Sequence, residues 1–225
     1  ANIIDIGGES TRPGSKTVPT KMEWKRIKNI IKSFKKKHRK TCLSIDTRKS
    51  EIMIKGIKCG AHLINDVSGF NYDNRSLSTL KKYNVAKVLH HMKGTPNTMQ
   101  KNPKYKNILL DIYDFFENGV KNIDNKKVVI DPGIGFGKNL KHNLTLISKI
   151  SLFHSLGLPI LIGTSRKRFI SQLSGANDSK ERIGGTVASV LFLLSQGVQI
   201  FRVHNVNEVK QGILVFKKIL SNFKN

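Results

Sequence analysis

Short runs of continuous apolar residues recur along the chain, and most are separated by stretches in which apolar residues repeat at helical spacing. The runs predict strands over 2–6, 42–46, 61–67, 85–91, 126–131, 159–163 and 199–204. The intervening pattern predicts helices over about 20–37, 49–59, 75–83, 106–121, 142–155, 179–195 and 207–223. Val128 to Ile130 is a continuous β-branched run, whereas Val209, Ile213, Phe216 and Ile219-Leu220 keep a helical period. Strands that are apolar along their whole length are buried on both faces, so the alternation predicts an α/β fold with a parallel sheet. Each run also ends in polar residues that a structural core does not need: Asp5, Asp46, Asn65-Asp66, His90-His91, Asp131, Ser165-Arg166-Lys167 and Arg202-His204.

Polar residues at every strand end form a rim, which is where a closed (β/α)8 TIM barrel carries its chemistry. An open doubly wound sheet would draw on few strands, at one switch point. No Pro/Ser-rich linker or break in composition divides the 225 residues, so one domain over 1–225 is expected. Seven β-α units and an abrupt start, Ala1 followed at once by a strand, predict a barrel whose first β-α unit lies upstream.

The formal net charge of +25 raises nucleic acid or an anionic membrane as partners. The excess is mostly Lys scattered over the expected helices (Lys21, Lys25, Lys28, Lys32, Lys35 to Lys37, Lys217, Lys218), with no basic stripe and no interleaved aromatic platform. Solvated helix faces account for it, and neither nucleic acid nor membrane is expected as a partner. Part of the charge can steer an anionic substrate to the rim. Cys42 and Cys59 form no metal or disulfide spacing and fit a reducing cytoplasm. No apolar run of about 18 residues or more is present, as a membrane-spanning helix would need.

The segment Asp131-Pro132-Gly133-Ile134-Gly135-Phe136-Gly137-Lys138 matches neither a dinucleotide fingerprint nor a P-loop. Its glycines are expected to let the backbone turn tightly and approach a flat ligand. Asp5 to Gly14 is a long polar loop suited to a lid, with Arg12 offering a fork for a carboxylate. Arg166, Lys167 and Arg168 follow an apolar strand and predict an anion or polar-heterocycle contact, with one or two of them turned to solvent. Arg202 and His204 are two apart, so strand alternation puts both on one face, a pairing suited to phosphate. His90 and His91 project to opposite sides and cannot form one metal clamp.

Together these segments resemble dihydropteroate synthase, the pterin-binding family of bacterial folate biosynthesis. The resemblance rests on IIDIGGESTRPGS (3–15), SIDTRKSE (44–51), GAHLINDVSG (60–69), HHMKGTPNTMQ (90–100), VVIDPGIGFGKNLKHN (128–143), IGTSRKRFI (162–170) and RVHNV (202–206). It implies a (β/α)8 barrel that joins p-aminobenzoate to 6-hydroxymethyl-7,8-dihydropterin diphosphate, giving 7,8-dihydropteroate and diphosphate. By motif, Asp46, Asn65, Asp131, Lys167, Arg202, Phe136 and Gly163 correspond to the pterin site, and Arg202 and His204 to the diphosphate ligands. Thr11, Arg12, Pro13 and Ser165 correspond to the p-aminobenzoate and lid region. The catalytic roles implied fall on Asp46, Lys167, Arg202 and His204. The resemblance further implies Mg²⁺, whose family ligand lies on a first-strand loop with no counterpart here, and a homodimer formed through helices near the C-terminus.

Two positions depart from the family pattern. His90 stands where Met usually lines the pocket, and Asn205 replaces an Asp, which would remove a charge beside the diphosphate residues and loosen His204. A methyltetrahydrofolate-corrinoid methyltransferase shares the barrel with its Asp, Asn and Asp. It would not be expected to combine Thr11-Arg12-Pro13-Gly14, Ser165-Arg166-Lys167 and Arg202-Val203-His204.

Overall fold

The computed structural model describes residues 1–123 and 127–223. Seven strands run in chain order: β1 (Ile3–Gly7), β2 (Cys42–Asp46), β3 (Leu63–Asp66), β4 (Ala86–His90), β5 (Val128–Asp131), β6 (Leu161–Ile162) and β7 (Ile200–Phe201). Strands β1 to β5 form one parallel sheet and β6 pairs with β7, while a parallel bridge between Ile130 and Ile160 links the two. The helices are α1 (Thr20–Lys37), α2 (Ser50–Lys58), α3 (Ser76–Leu80), α4 (Ile108–Asn122), α5 (Leu140–Ser148), α6 (Arg168–Ser174), α7 (Ile183–Ser195) and α8 (Val206–Phe223).

The sheet is rolled. Seven flat strands would hold β1 and β7 roughly 29 Å apart at the usual inter-strand spacing, yet Arg202, just past β7, brings Nε to 3.7 Å from Asp5 Oδ2 on β1. Two apolar layers follow from this curvature. The larger lies between sheet and helices and includes Ile31 of α1, Ile45 of β2, Ile52 of α2, Ile112 and Phe116 of α4 and Phe153. The smaller is inside the barrel: Leu63, Val88, Val129 and Leu161 pack together, with Ile3, Ala86 and Ile200 against them.

Strand alternation gives the inner layer a direct functional consequence. Two residues beyond Ile3, Leu63, Val88, Val129, Leu161 and Ile200 stand Asp5, Asn65, His90, Asp131, Gly163 and Arg202, and Asp46 stands two beyond the buried Ser44. Residues two apart on a strand share a face, so the next layer toward the C-terminal ends is polar and closes the mouth of the barrel.

The expected elements are found with shifted ends, and three differ in kind. The helix expected over 142–155 is α5 followed by a 3-10 turn over Ile150–Leu156, and that over 179–195 opens with a 3-10 turn over Ser179–Arg182. The strand expected over 199–204 stops at Phe201. Helix α6 was not foreseen. Of the strand expected over 126–131, Lys126 lies outside the described residues. Lys21, Lys25, Lys32, Lys36 and Lys37 of α1 are exposed, while Lys28 and Lys35 are partly covered at the edge of the face on which Glu23, Ile27 and Ile31 are buried. No helix is long and apolar enough to cross a membrane among the described residues. No pairing joins β1 to β7 among them either.

Candidate active site

At the floor of the mouth, Asp131 and Asn65 are almost wholly buried. Asp131 Oδ1 accepts from Gly133 N at 2.8 Å, which aims Oδ2 across the barrel. Burial works against the Asp131 carboxylate, but the charges of Arg202 and Lys167 help outweigh it and hold the group below its ordinary pKa. Asn65 Nδ2 donates to Asp5 Oδ2 at 3.2 Å. Asp46 is the least settled member: its Oδ1 is buried without a hydrogen-bond partner. Burial first, and the neighbouring Asp5 carboxylate second, raise its pKa well above the usual carboxylate range.

The loop after β5 and the start of α6 supply the facing wall. Lys167 donates to Ile134 O and lies 4.8 Å over the Phe136 ring. Burial, against the attraction of Asp131, brings its pKa down to about 8. Gly133, with φ of 68°, could carry no Cβ, which would overlap the His91 carbonyl; at Gly137 a Cβ would lie 2.5 Å from Lys93 O. These glycines permit the tight turn as expected, and Gly133 and Gly137 let it pack closely against the loop after β4. Beneath that turn Lys138 Nζ donates to Phe136 O at 2.9 Å and lies 2.9 Å from His91 Nδ1.

His90 and His91 do project to opposite sides. His90 is buried, its ring edge-on to Phe136 with centroids 4.6 Å apart and its Nδ1 3.0 Å from Val67 O. Burial, reinforced by Arg202, Lys167 and Lys138, brings its pKa down to about 3. The neutral ring therefore donates from Nδ1, which leaves the Nε2 lone pair 3.8 Å from Asp131 Oδ2 and without a partner.

A cationic rim borders the mouth. Ser165 Oγ and His204 Nδ1 are 2.9 Å apart, and His204 N donates to the same hydroxyl at 3.2 Å. Burial and the charges of Arg166, Arg12 and Lys167 lower the His204 pKa. Because β7 ends at Phe201, alternation does not place His204 beside Arg202. Arg202 turns into the mouth, while His204 is exposed at the rim and held by Ser165. Asn205 has a different task from the one its position suggested: Oδ1 accepts from Arg166 Nε at 3.1 Å and Nη2 at 2.6 Å, so the expected loosening of His204 has no direct contact to act through. Arg168 is the cation of that run turned to solvent.

Thr11, Arg12 and Pro13 stand on the long loop after β1, the expected lid, partly or fully exposed. Gly14 N donates to Pro96 O at 3.0 Å, which seats the lid tip against the loop after β4. The stem is held by residues that pattern reading assigns to solvent. Glu9 accepts from Arg48, from Lys49 Nζ at 2.7 Å and from Val18 N at 2.7 Å, closing the two ends of the loop on one carboxylate. Lys49 also pairs with the buried Glu23, which accepts from Thr47 Oγ1 at 2.6 Å. Burial opposes the Glu9 charge, but bonds from Lys49, Val18 N and Arg48 outweigh it and lower the pKa.

Next to Arg48 lies Asp66, fully buried, with Oδ1 accepting from Ser68 N and Oγ at 2.8 and 2.6 Å and Oδ2 without a partner. Burial raises its pKa to about 6 despite those bonds. A carboxyl whose folded pKa is raised favours folding below its unfolded pKa and loses that contribution as pH rises through the folded value. Asp66→Asn is therefore expected to gain about 1–3 kcal/mol on the parent chain between about pH 4 and 6.5, read as the difference between paired thermal melts. Equal melting differences at both ends of that range would contradict the assignment.

The mouth thus gathers Asp46, Asn65, Asp131, Phe136, Gly163, Lys167 and Arg202, with Ser165 and His204 at its edge and Thr11 to Pro13 above. Asp5, absent from the expected site, contacts both Asn65 and Arg202. Its place two residues beyond Ile3 is the signal that marks it. Among the described residues no group of three or more His, Cys, Asp or Glu side chains is arranged to hold a metal ion.

A family model described as "Pterin binding enzyme" matches residues 1–204. The dihydropteroate synthase of Escherichia coli K12 is 36% identical over 230 residues, a match covering 100% of this chain and 80% of that protein. The structure of Yersinia pestis dihydropteroate synthase with a sulfonamide drug complex superposes with a TM-score of 0.94 at 36% identity, covering 98% of this chain and 81% of the other. The Thermus thermophilus enzyme in complex with 4-aminobenzoate gives 0.88 at 37% identity, covering 97% and 84%. Sequence, barrel and polar mouth agree, and the chain belongs to the dihydropteroate synthases of the pterin-binding enzyme family.

Proposed function

We propose that this chain condenses 6-hydroxymethyl-7,8-dihydropterin diphosphate with p-aminobenzoate to give 7,8-dihydropteroate and diphosphate. The observation that carries the reading is the acceptor set Asp46, Asn65 and Asp131 facing the Lys167 donor in one layer, beside a cationic rim. An aminopyrimidinone ring presents adjacent N–H donors and a carbonyl acceptor, and that layer is its complement.

The carbon–oxygen bond to diphosphate breaks with its electron pair leaving on the diphosphate. Arg202, His204 and the nearby Lys167 charge receive the anion, so the protein's chief contribution is electrostatic. Asp46, facing the ring from β2, stabilises positive charge shared between the methylene carbon and the dihydropterin. The arylamine nitrogen then bonds to that carbon and loses a proton to solvent. Thr11, Arg12 and Pro13 on the lid, with Ser165, order p-aminobenzoate and exclude water that would otherwise trap the cation.

Mg²⁺ is proposed as a counter-ion of the diphosphate. The described residues do not form a cage for it. The exposed side chains of Leu214, Val215 and Ile219 on α8 and Phe192 on α7 support a homodimer through these helices. Cys42 and Cys59 are free thiols, in keeping with a cytoplasmic setting.

Incubation of the protein with the pterin diphosphate, p-aminobenzoate and Mg²⁺ is expected to release diphosphate and form dihydropteroate in equal amounts, dependent on both organic substrates. Folded protein that binds a pterin but forms no dihydropteroate would contradict the synthase reading.

A further inference from the structure

The floor of the mouth holds a buried acceptor that the proposed reaction does not use. His90 stands two residues beyond Val88 and shares its inward face. Its Nδ1–H is committed to Val67 O, which leaves the Nε2 lone pair, 3.8 Å from Asp131 Oδ2, closed to solvent and without a partner. The other tautomer would donate to Asp131 but would set a lone pair against the Val67 carbonyl. A protonated ring would add a cation to Arg202, Lys167 and Lys138 in a buried site that already disfavours one. A dry acceptor with no donor costs stability, which points to a donor that arrives with a ligand.

The N1–C2(NH2)–N3 edge of a pterin is a planar guanidine unit with three N–H bonds, two on the 2-amino group and one on N3. Asp131 Oδ1 is committed to Gly133 N, so Asp131 Oδ2 and Asn65 Oδ1 are matched to two of the three. In the free protein one donor already spans these two oxygens, Arg202 Nη2 lying 3.2 Å from the first and 3.4 Å from the second. His90 Nε2 is the third acceptor, and it stays without a partner until a ring arrives.

We infer that His90 is a further specificity-determining residue, whose Nε2 accepts an N–H of the pterin 2-amino group beside Asp131 and so makes the site select a 2-amino over a 2-oxo ring. The inference rests on the pterin reading of this site. A methionine, which the family pattern usually places here, offers only a thioether, a weak acceptor for that bond. A 2-oxo ring sets its carbonyl oxygen against the Nε2 lone pair, so neutral His90 opposes it as well as failing to bond it. An imidazolium would reverse that sense by donating to the oxo group, and burial beside three cations keeps the ring from becoming one. Asp131 discriminates in the same direction, so the share of His90 is the part of the preference lost when His90 alone is changed.

A wall residue would shift the affinities of both rings alike, whereas an acceptor aimed at the 2-position shifts them apart. Calorimetric titration with 6-hydroxymethylpterin and its 2-oxo analogue, 6-hydroxymethyllumazine, on the parent chain, His90→Met and His90→Gln separates the two roles. His90→Met is expected to weaken the pterin by about 10-fold and to leave the lumazine unchanged or tighter, so the preference falls by about 10-fold or more. His90→Gln, whose Oε1 reaches toward the place of Nε2, is expected to recover most of the pterin affinity. Equal changes in the two affinities, zero included, would overturn the inference while leaving the pterin site intact. Binding of neither ligand by the parent chain would instead overturn the proposed function, and the inference with it. Nitrogen-15 spectra of the parent chain give an independent reading that needs no variant to fold. The His90 Nε2 signal is expected to be that of an unprotonated nitrogen in the free protein and to move upfield when the pterin binds, as a lone pair that gains a donor does. An Nε2 that carries a proton in the free protein, or that does not respond to bound pterin, would contradict the inference.

Discussion

Asp131→Asn is expected to weaken 6-hydroxymethylpterin binding by about 100-fold or more, with the fold unchanged. The size follows from geometry. Asp131 Oδ1 is already committed to Gly133 N, so only Oδ2 faces the mouth. An amide that keeps the Gly133 bond must turn its NH2 toward the ring. A donor then meets the ring's donor edge, and the loss includes an unsatisfied group on each side as well as the bond itself. The same change removes the carboxylate that opposes burial of the Lys167 charge, so the Lys167 pKa should fall further below about 8. Titration calorimetry checks the affinity and circular dichroism the fold. An unchanged dissociation constant would remove Asp131 from the site.

The second large effect lies under the lid. Glu9→Gln is expected to cost about 3–5 kcal/mol, because it leaves Arg48 and Lys49, both nearly inaccessible, without one of their buried counter-charges. Against a total stability of about 5–15 kcal/mol that is a large fraction, and it should lower the midpoint of thermal unfolding by about 10 °C in a domain of this size. Surface pairs make the contrast. Lys55 with Glu51 and Lys121 with Glu117 are i,i+4 pairs on open helix faces, where a similar substitution is worth less than about 1 kcal/mol. Glu9→Gln and Glu51→Gln melted side by side test the difference, and equal midpoints would show that the buried network contributes nothing particular to the stem.

The two cases also show what was legible in the sequence. Asp46, Asn65, Asp131, Lys167 and Arg202 were readable because each stands at or just past the end of an apolar run, where a core gives no reason for a charge. Asp5 meets the same criterion and stands among the rim residues, but no family motif assigns it to the pterin site. Glu9, Glu23, Arg48 and Lys49 were invisible for a physical reason. Periodicity treats charged residues as solvent-facing, and only the packing of the lid stem against the loop after β2 buries opposite charges together. Helix α6 was hidden because its apolar content is short and follows three cations, so it showed neither the length nor the period of a helix. The end of β7 was misplaced for a related reason: Arg202 N still donates to Ile162 O at 2.9 Å, continuing the ladder, but the chain then turns to bring His204 to Ser165.

Asn205 and His90 show how a departure from family pattern is absorbed. An amide oxygen accepts the Arg166 fork as a carboxylate would, at the cost of charge but not of geometry. Its Nδ2 finds Glu208 Oε1 at 3.0 Å, which brings a carboxylate back within one residue's reach. His90 fills the wall as a neutral ring, held by Val67 O on one side and by the edge contact with Phe136 on the other.

The proposed recognition sets the guanidine-like edge of a pterin on the polar layer two residues beyond the inner apolar layer. Crystallography of the protein with 6-hydroxymethylpterin bound tests it most directly. The ring is expected in the barrel mouth, its amino edge on Asp131 and Asn65 and its carbonyl toward Lys167. A ring bound elsewhere, or held in the mouth with that edge turned to solvent, would contradict it.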